Sequence, residues 1–119
     1  MTTERVLWHF TCSHGAAGIG RRGLLRPNPH PLLPRLGPVV WLTDDPAPDR
    51  DDVGLTSSAL LTCDRMAFRY RVAHDDVALA EPWSHVRHVG APDVLADLER
   101  YADPSTWWLA AEPVRVRMA

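Results

Sequence analysis

The chain contains no lysine; its 13 basic side chains other than histidine are all arginines. That absence excludes Schiff-base chemistry, a catalytic lysine and a lysine-bearing phosphate loop. Against 15 acidic residues the net charge is −2. There is therefore no global basic footprint, and nonspecific nucleic-acid affinity does not follow from charge. Cysteine is scarce: Cys12 and Cys63 stand alone, without a CxxC. The expectation is two free, buried thiols in a cytoplasmic protein. His9, Cys12 and His14 crowd together, but their spacing matches no standard zinc pair and a closed site wants four ligands, so no metal is expected. No apolar run reaches the roughly 18 residues of a membrane span, and no signal peptide is recognised at the start, so no membrane partner is expected. Gly15, Gly18, Gly20 and Gly23 do not form the GxGxxG of a dinucleotide fold. Repeats, low-complexity tracts and long linkers are missing, and 1–119 is expected to be a single domain.

What is present is an ordinary globular mixture, 45% hydrophobic and 24% charged. Arg5 to Thr11 reads as a first strand, rich in apolar and aromatic residues. Ser13 is placed to cap a short helix running to about Arg22, with Gly23 as its stop. Leu24 to Arg26 reads as extended. Pro27 to Pro38 is too rich in proline for a helix and is expected to be an ordered loop or lid. Val39 to Thr43 reads as a buried strand and Asp44 to Gly54 as an acidic surface loop. Leu60 to Cys63 reads as a short strand. Met66 to Val72 alternates, with Phe68, Tyr70 and Val72 on one face and Arg69 and Arg71 on the other. Pro82 to Gly90 favours no one element. Asp93 to Tyr101 is a helix, with Val94, Leu95, Leu98 and Tyr101 at helical spacing. Trp107 to Leu109 and Val114 to Met118 are the last strands, the second with Val114, Val116 and Met118 inward and Arg115 and Arg117 outward. The sum is a small, strand-rich α+β domain with one or two helices.

Three strand-like islands each carry one residue able to do chemistry. They are Leu7-Trp8-His9-Phe10-Thr11, Val39-Val40-Trp41-Leu42-Thr43 and Ala111-Glu112-Pro113-Val114. With Gly23-Leu24-Leu25 after the first helix, their order resembles the ADP-ribosyltransferase fold. The similarity is to the DarT-like and PARP-like branch, which pairs a first-strand histidine with a mid-chain aromatic and a late glutamate. The order of elements is covered over nearly the whole chain, while matching identities amount to about a dozen residues. Trp41 stands where tyrosine is commoner. Pro113 follows the glutamate, removes an amide donor and puts Glu112 on a sheet edge or rim.

The resemblance implies a split β-sheet that binds NAD+ and breaks its nicotinamide bond. Glu112 would stabilise the oxocarbenium-like charge and accept a proton from the nucleophile. His9 would donate or accept a hydrogen bond at a ribose hydroxyl, with its neighbouring backbone holding the carboxamide, and Trp41 would stack on nicotinamide. Arg26 would meet the pyrophosphate through a two-pronged contact, in competition with Arg21, Arg22 and Arg35. Phe10, Thr11 and Thr43 complete the expected NAD+ contacts. ADP-ribose would pass to a nucleic acid, a protein or water. Two other readings stand beside this one. One is an RNA 2′-phosphotransferase-like enzyme on the same fold, relying on histidine and arginines rather than the glutamate. The other is a binding module for NAD+, ADP-ribose or a protein partner that does no chemistry.

Taken singly, His9 and Trp41 read as core residues and Glu112 as a solvated charge. Thr56-Ser57-Ser58 reads as a turn or cap. His30, His74, His85 and His88 read as surface histidines. Trp83, Trp107 and Trp108 read as core or rim aromatics, with Trp107 or Trp108 also considered as a base-stacking platform. Arg69, Arg71, Arg115 and Arg117 would form a basic face if their strands are neighbours, read first as solvated and second as a contact for nucleic acid.

Overall fold

The computed structural model describes residues 5–20, 23–49 and 65–119. Among these, seven strands form one antiparallel sheet: β1 (Trp8–Thr11), β2 (Leu24–Leu25), β3 (Val40–Thr43), β4 (Phe68–Val72), β5 (Ala80–Pro82), β6 (Trp107–Ala110) and β7 (Val114–Met118). Two α-helices accompany them, α1 (Ser13–Ile19) and α2 (Pro92–Glu99), with several 3-10 turns. The sheet order is β2-β7-β4-β1-β3-β6-β5. This is the expected small α+β domain. The short strand expected over Leu60 to Cys63 and the turn at Thr56-Ser57-Ser58 lie outside the described residues. Among the described residues no helix is long and apolar enough to cross a membrane.

The sheet is two ladders joined at a point. β1 pairs with β4 at four positions, Trp8↔Arg71 through Thr11↔Phe68. β3 pairs with β6 at four, Val40↔Ala110 through Thr43↔Trp107. β1 and β3 share only Trp8↔Thr43. The chain itself demands such a bend. β6 and β7 have three strands between them in the sheet order, a separation of about 19 Å in a flat sheet. The link from Ala110 to Val114 reaches at most about 14 Å. The halves therefore fold over a shared interior, where Ala110 and Val114 are 1% and 0% exposed and belong to one cluster with Leu7, Leu42, Tyr70 and Val116. Ala16 and Ile19 of α1 cover this cluster. A second cluster lies on the opposite face of β3 and β6, where Trp83, Trp107 and Leu109 pack with Leu33 and with Leu95 of α2.

Alternation works as read in β4, where Tyr70 and Val72 are buried. In β7 it holds for Val114 and Val116, but Met118 is 59% exposed, beyond the reach of the interior. Arg71 faces Arg117 in the β4–β7 ladder, so Arg69, Arg71, Arg115 and Arg117 do share one sheet face. Arg115 is held there by a fork to Asp76, and Arg69 donates to the Pro46 carbonyl at 2.8 Å.

The helix boundaries differ from expectation. Cys12 is the extended N-cap of α1 and Ser13 is already helical, with no side-chain cap. The helix ends at Ile19 because Gly20 adopts a φ of +57°. Gly23 serves the turn into β2 instead. α2 begins at Pro92, whose fixed φ suits a first helical position, and ends at Glu99. Tyr101 thus lies beyond the helix and is exposed rather than on its apolar face. Pro82 to Gly90 resolves into the end of β5 and two 3-10 turns.

The proline-rich segment is a fixed wall. Asn28 and Val39 exchange two backbone hydrogen bonds of 3.0 Å, closing its base. Leu33 is buried in the second cluster, and a 3-10 turn spans Pro34–Leu36.

Gly23 and Gly18 give opposite expectations for alanine. Gly23 has a φ of +59°, and a Cβ there would sit 2.4 Å from the Val116 carbonyl oxygen, a ladder atom. Gly23→Ala should lower stability by about 2 kcal/mol or more. Gly18 is helical, exposed and faces open space, so Gly18→Ala should raise it by about 0.5–1 kcal/mol. Urea denaturation of both variants checks the pair; equal effects would contradict the described turn.

Candidate functional site

Where β1 and β3 separate, a cleft of about 370 Å³ opens between them. Trp8 through Cys12 form one side and Trp41 through Thr43 the other. The cleft follows from the missing ladder: past Trp8↔Thr43 the strands no longer pair, so their facing polar groups need other partners. One solution is visible. The His9 imidazole spans the gap, its Nδ1 lying 2.8 Å from the Trp41 carbonyl oxygen. A carbonyl only accepts, so Nδ1 carries the proton and Nε2 is left as an acceptor in the neutral ring. Burial pushes the His9 pKa below 6.5, with the Trp41 carbonyl opposing that shift in part.

Trp41 is fixed by its neighbours. Its ring lies 5.4 Å from Trp83, 6.2 Å from Trp107 and 6.0 Å from His30, with tilted or edge-on geometry. Trp83 is oriented in turn by its indole N–H, which donates to Glu99 at 2.6 Å. The Arg87 guanidinium hydrogen-bonded to Glu99 holds that carboxyl below the usual carboxylate range, aided by Trp83. Thr43 is buried at the hinge of the cleft, and its hydroxyl accepts from the Asp45 amide.

Of the residues singled out from sequence, His9, Phe10, Thr11, Trp41 and Thr43 come together around this cleft. Arg26 does not line it; it is exposed at the end of β2, its carbonyl accepting from the Asn28 side chain. Glu112 is exposed in the short connection between β6 and β7 and also lies outside the lining set. Among the lining residues not assigned to the site from sequence are one guanidinium and a second imidazole. Arg65 is the only arginine among the described residues that line the cleft. His30, expected at the surface, is partly buried in the wall. The sequence signal for His30 was its place between Pro29 and Pro31, which fixes the backbone on both sides.

Other expectations are corrected here. Cys12, which lines the cleft, is disulfide-bonded rather than a free thiol. Sequence spacing carries no information on whether two distant cysteines approach in space. Cys63 lies outside the described residues. Trp107 is buried and reaches the cleft, whereas Trp108 packs against the first cluster with the Arg5 guanidinium 3.9 Å from its ring centre. Trp108 also donates to Asp44 at 3.1 Å, so this ring is engaged and is no open platform for a base. Among the described residues there is no cluster of three or more metal-ligating side chains.

No protein-family model matches the chain, and no curated protein or solved structure does so. The site therefore has to be read from its own chemistry. It offers an apolar, aromatic cleft, one imidazole acceptor, one further imidazole and one guanidinium. No carboxylate lines it among the described residues.

The His9 shift sets a pH dependence. Because the folded pKa is lowered, stability should be fully present above about 6.5, the ordinary value, and fall as the pH drops from there toward the folded value. His9→Asn should flatten that part of the slope. Thermal melts between pH 5 and 8, with the His9 titration followed by NMR, check this; a wild-type profile unchanged by the substitution would oppose it.

Proposed function

We propose that the cleft binds the nicotinamide–ribose end of NAD+ and that the protein is an NAD+-dependent ADP-ribosyltransferase of the DarT-like and PARP-like kind. The observation that carries this is the His9 bridge to the Trp41 carbonyl across the parted strands, with both side chains lining one cavity. A volume of about 370 Å³ lies at the small end of ligand sites, which run from about 300 to 1,000 Å³. It suits one end of a dinucleotide, with the remainder running out along the rim.

In this reading Trp41 receives the nicotinamide ring, and His9 Nε2 accepts from a ribose hydroxyl. Phe10 and Thr11 form the β1 side of the pocket. Arg65 takes the pyrophosphate role first given to Arg26, since it is the arginine at the cleft. The bond from C1′ to the ring nitrogen breaks, and nicotinamide leaves neutral with the electron pair. ADP-ribose passes to a nucleophile on a nucleic acid, a protein or water. Glu112, exposed beside Pro113 and outside the cleft lining, keeps the charge-stabilising and proton-accepting role as the resemblance implies it.

The carboxylate-free lining favours a second reading. Chemistry that relies on His9 and Arg65 alone would be RNA 2′-phosphotransferase-like, and a cleft with no turnover would be a binding module for NAD+ or ADP-ribose.

Nicotinamide release from NAD+, read beside calorimetric binding, separates these. Glu112→Gln should reduce release by about 100-fold or more while NAD+ affinity stays within about threefold. Arg65→Ala should weaken NAD+ binding about tenfold, and Arg26→Ala should leave it within twofold. Full activity in Glu112→Gln together with loss in Arg65→Ala would favour the phosphotransferase-like reading. NAD+ binding without release would favour the binding module. Absence of both would end both enzymatic readings and the NAD+-binding module.

A further inference from the structure

His30 sits in the cleft wall with its hydrogen-bonding sense already fixed. The Leu32 backbone N–H donates to its Nδ1 at 3.1 Å. An amide N–H only donates, so this nitrogen is unprotonated and the neutral ring carries its proton on Nε2. His9 is arranged the other way, protonated at Nδ1 by its bond to Trp41. The two imidazoles of the cleft therefore present opposite polarity: His9 offers an acceptor and His30 a donor. Burial lowers the His30 pKa as well, which keeps this ring neutral.

The position is as fixed as the polarity. The wall is closed at Asn28 and Val39 and anchored by Leu33. The His30 ring meets Trp41 edge-on at 6.0 Å, with an interplanar angle of 68°. His30 and Trp41 line the same cleft, so a flat ring laid against Trp41 lies within reach of the His30 imidazole. Such a preset donor orders nothing further when a ligand enters.

We propose that His30 donates its Nε2–H to the carboxamide oxygen of the nicotinamide ring and so fixes that ring's orientation in the cleft. This rests on the NAD+ reading above. It makes His30 a ligand contact and a specificity residue, distinct from His9, which serves the ribose.

The test pairs a protein change with a ligand change. Binding of NAD+ and of its analogue with unsubstituted pyridine in place of nicotinamide is measured by calorimetry for wild type, His30→Ala and His30→Gln. Wild type should bind the pyridine analogue about 5- to 10-fold more weakly than NAD+. His30→Ala should bind NAD+ about as weakly as wild type binds the analogue, with a ratio between the two ligands within twofold. His30→Gln, which keeps an N–H donor, should recover part of the NAD+ affinity. An unchanged ligand ratio in His30→Ala would overturn the proposal while leaving NAD+ binding intact. If wild type binds neither dinucleotide, the NAD+ reading falls and this contact falls with it. Nitrogen-15 NMR of the free protein gives a separate check: an Nδ1–H tautomer at His30 would overturn the donor assignment whatever the binding result.

Discussion

Strands β1 and β3 touch at a single residue pair, Trp8 with Thr43, and the rest of the molecule is arranged around that joint. A fuller ladder would close the cleft by bringing Phe10 and Thr11 against Trp41 and Val40. No joint at all would let the two halves of the sheet drift apart. One pair holds them at one end and leaves them open at the other. The unsatisfied backbone that such an opening creates is costly when buried. His9 meets part of that demand through the Trp41 carbonyl. The same side chain is thus a structural strut and the most exactingly placed polar group in the cleft.

The parted sheet also explains why so small a chain has two apolar clusters on opposite faces. Each half needs its own cover. α1 supplies it on one face; α2 and the proline-rich wall supply it on the other. The wall is the less obvious of these. Proline lowers the backbone freedom that must be given up on folding, and Leu33 secures the segment to the interior. The result is a rigid surface where a mobile lid was equally compatible with the composition. Behind Trp41, the arrangement of Trp83, Glu99 and Arg87 extends the rigid support to α2.

Much of this was legible in the chain because it depends on short-range pattern. The alternation in Met66 to Val72, the apolar run at Val39 to Thr43 and the helical spacing of Val94, Leu95 and Leu98 each reflect one face of one element meeting an interior. Five of the residues assigned to the site from sequence come together because they lie on β1 and β3 themselves. What was not legible depends on the approach of distant segments. His30 and Arg65 reach the cleft through folded loops with no periodicity to announce them. Arg26 was favoured for its place after β2, but proximity along the chain did not bring it to the cleft. The helix ends were misjudged where several glycines competed, because only the backbone geometry distinguishes Gly20 from Gly23 as the stop.

The crowding of indoles around Trp41 has an optical consequence. Trp41, Trp83 and Trp107 lie with ring centres 5.4 to 6.2 Å apart and at well-defined angles. Chromophores so close and so asymmetrically set couple their electronic transitions. Exciton coupling within this trio, two of whose members line the cleft, is accordingly expected in the near-ultraviolet circular dichroism of the protein. The cleft carries a built-in spectroscopic reporter, sensitive to small rotations of its aromatic wall, and needs no added label.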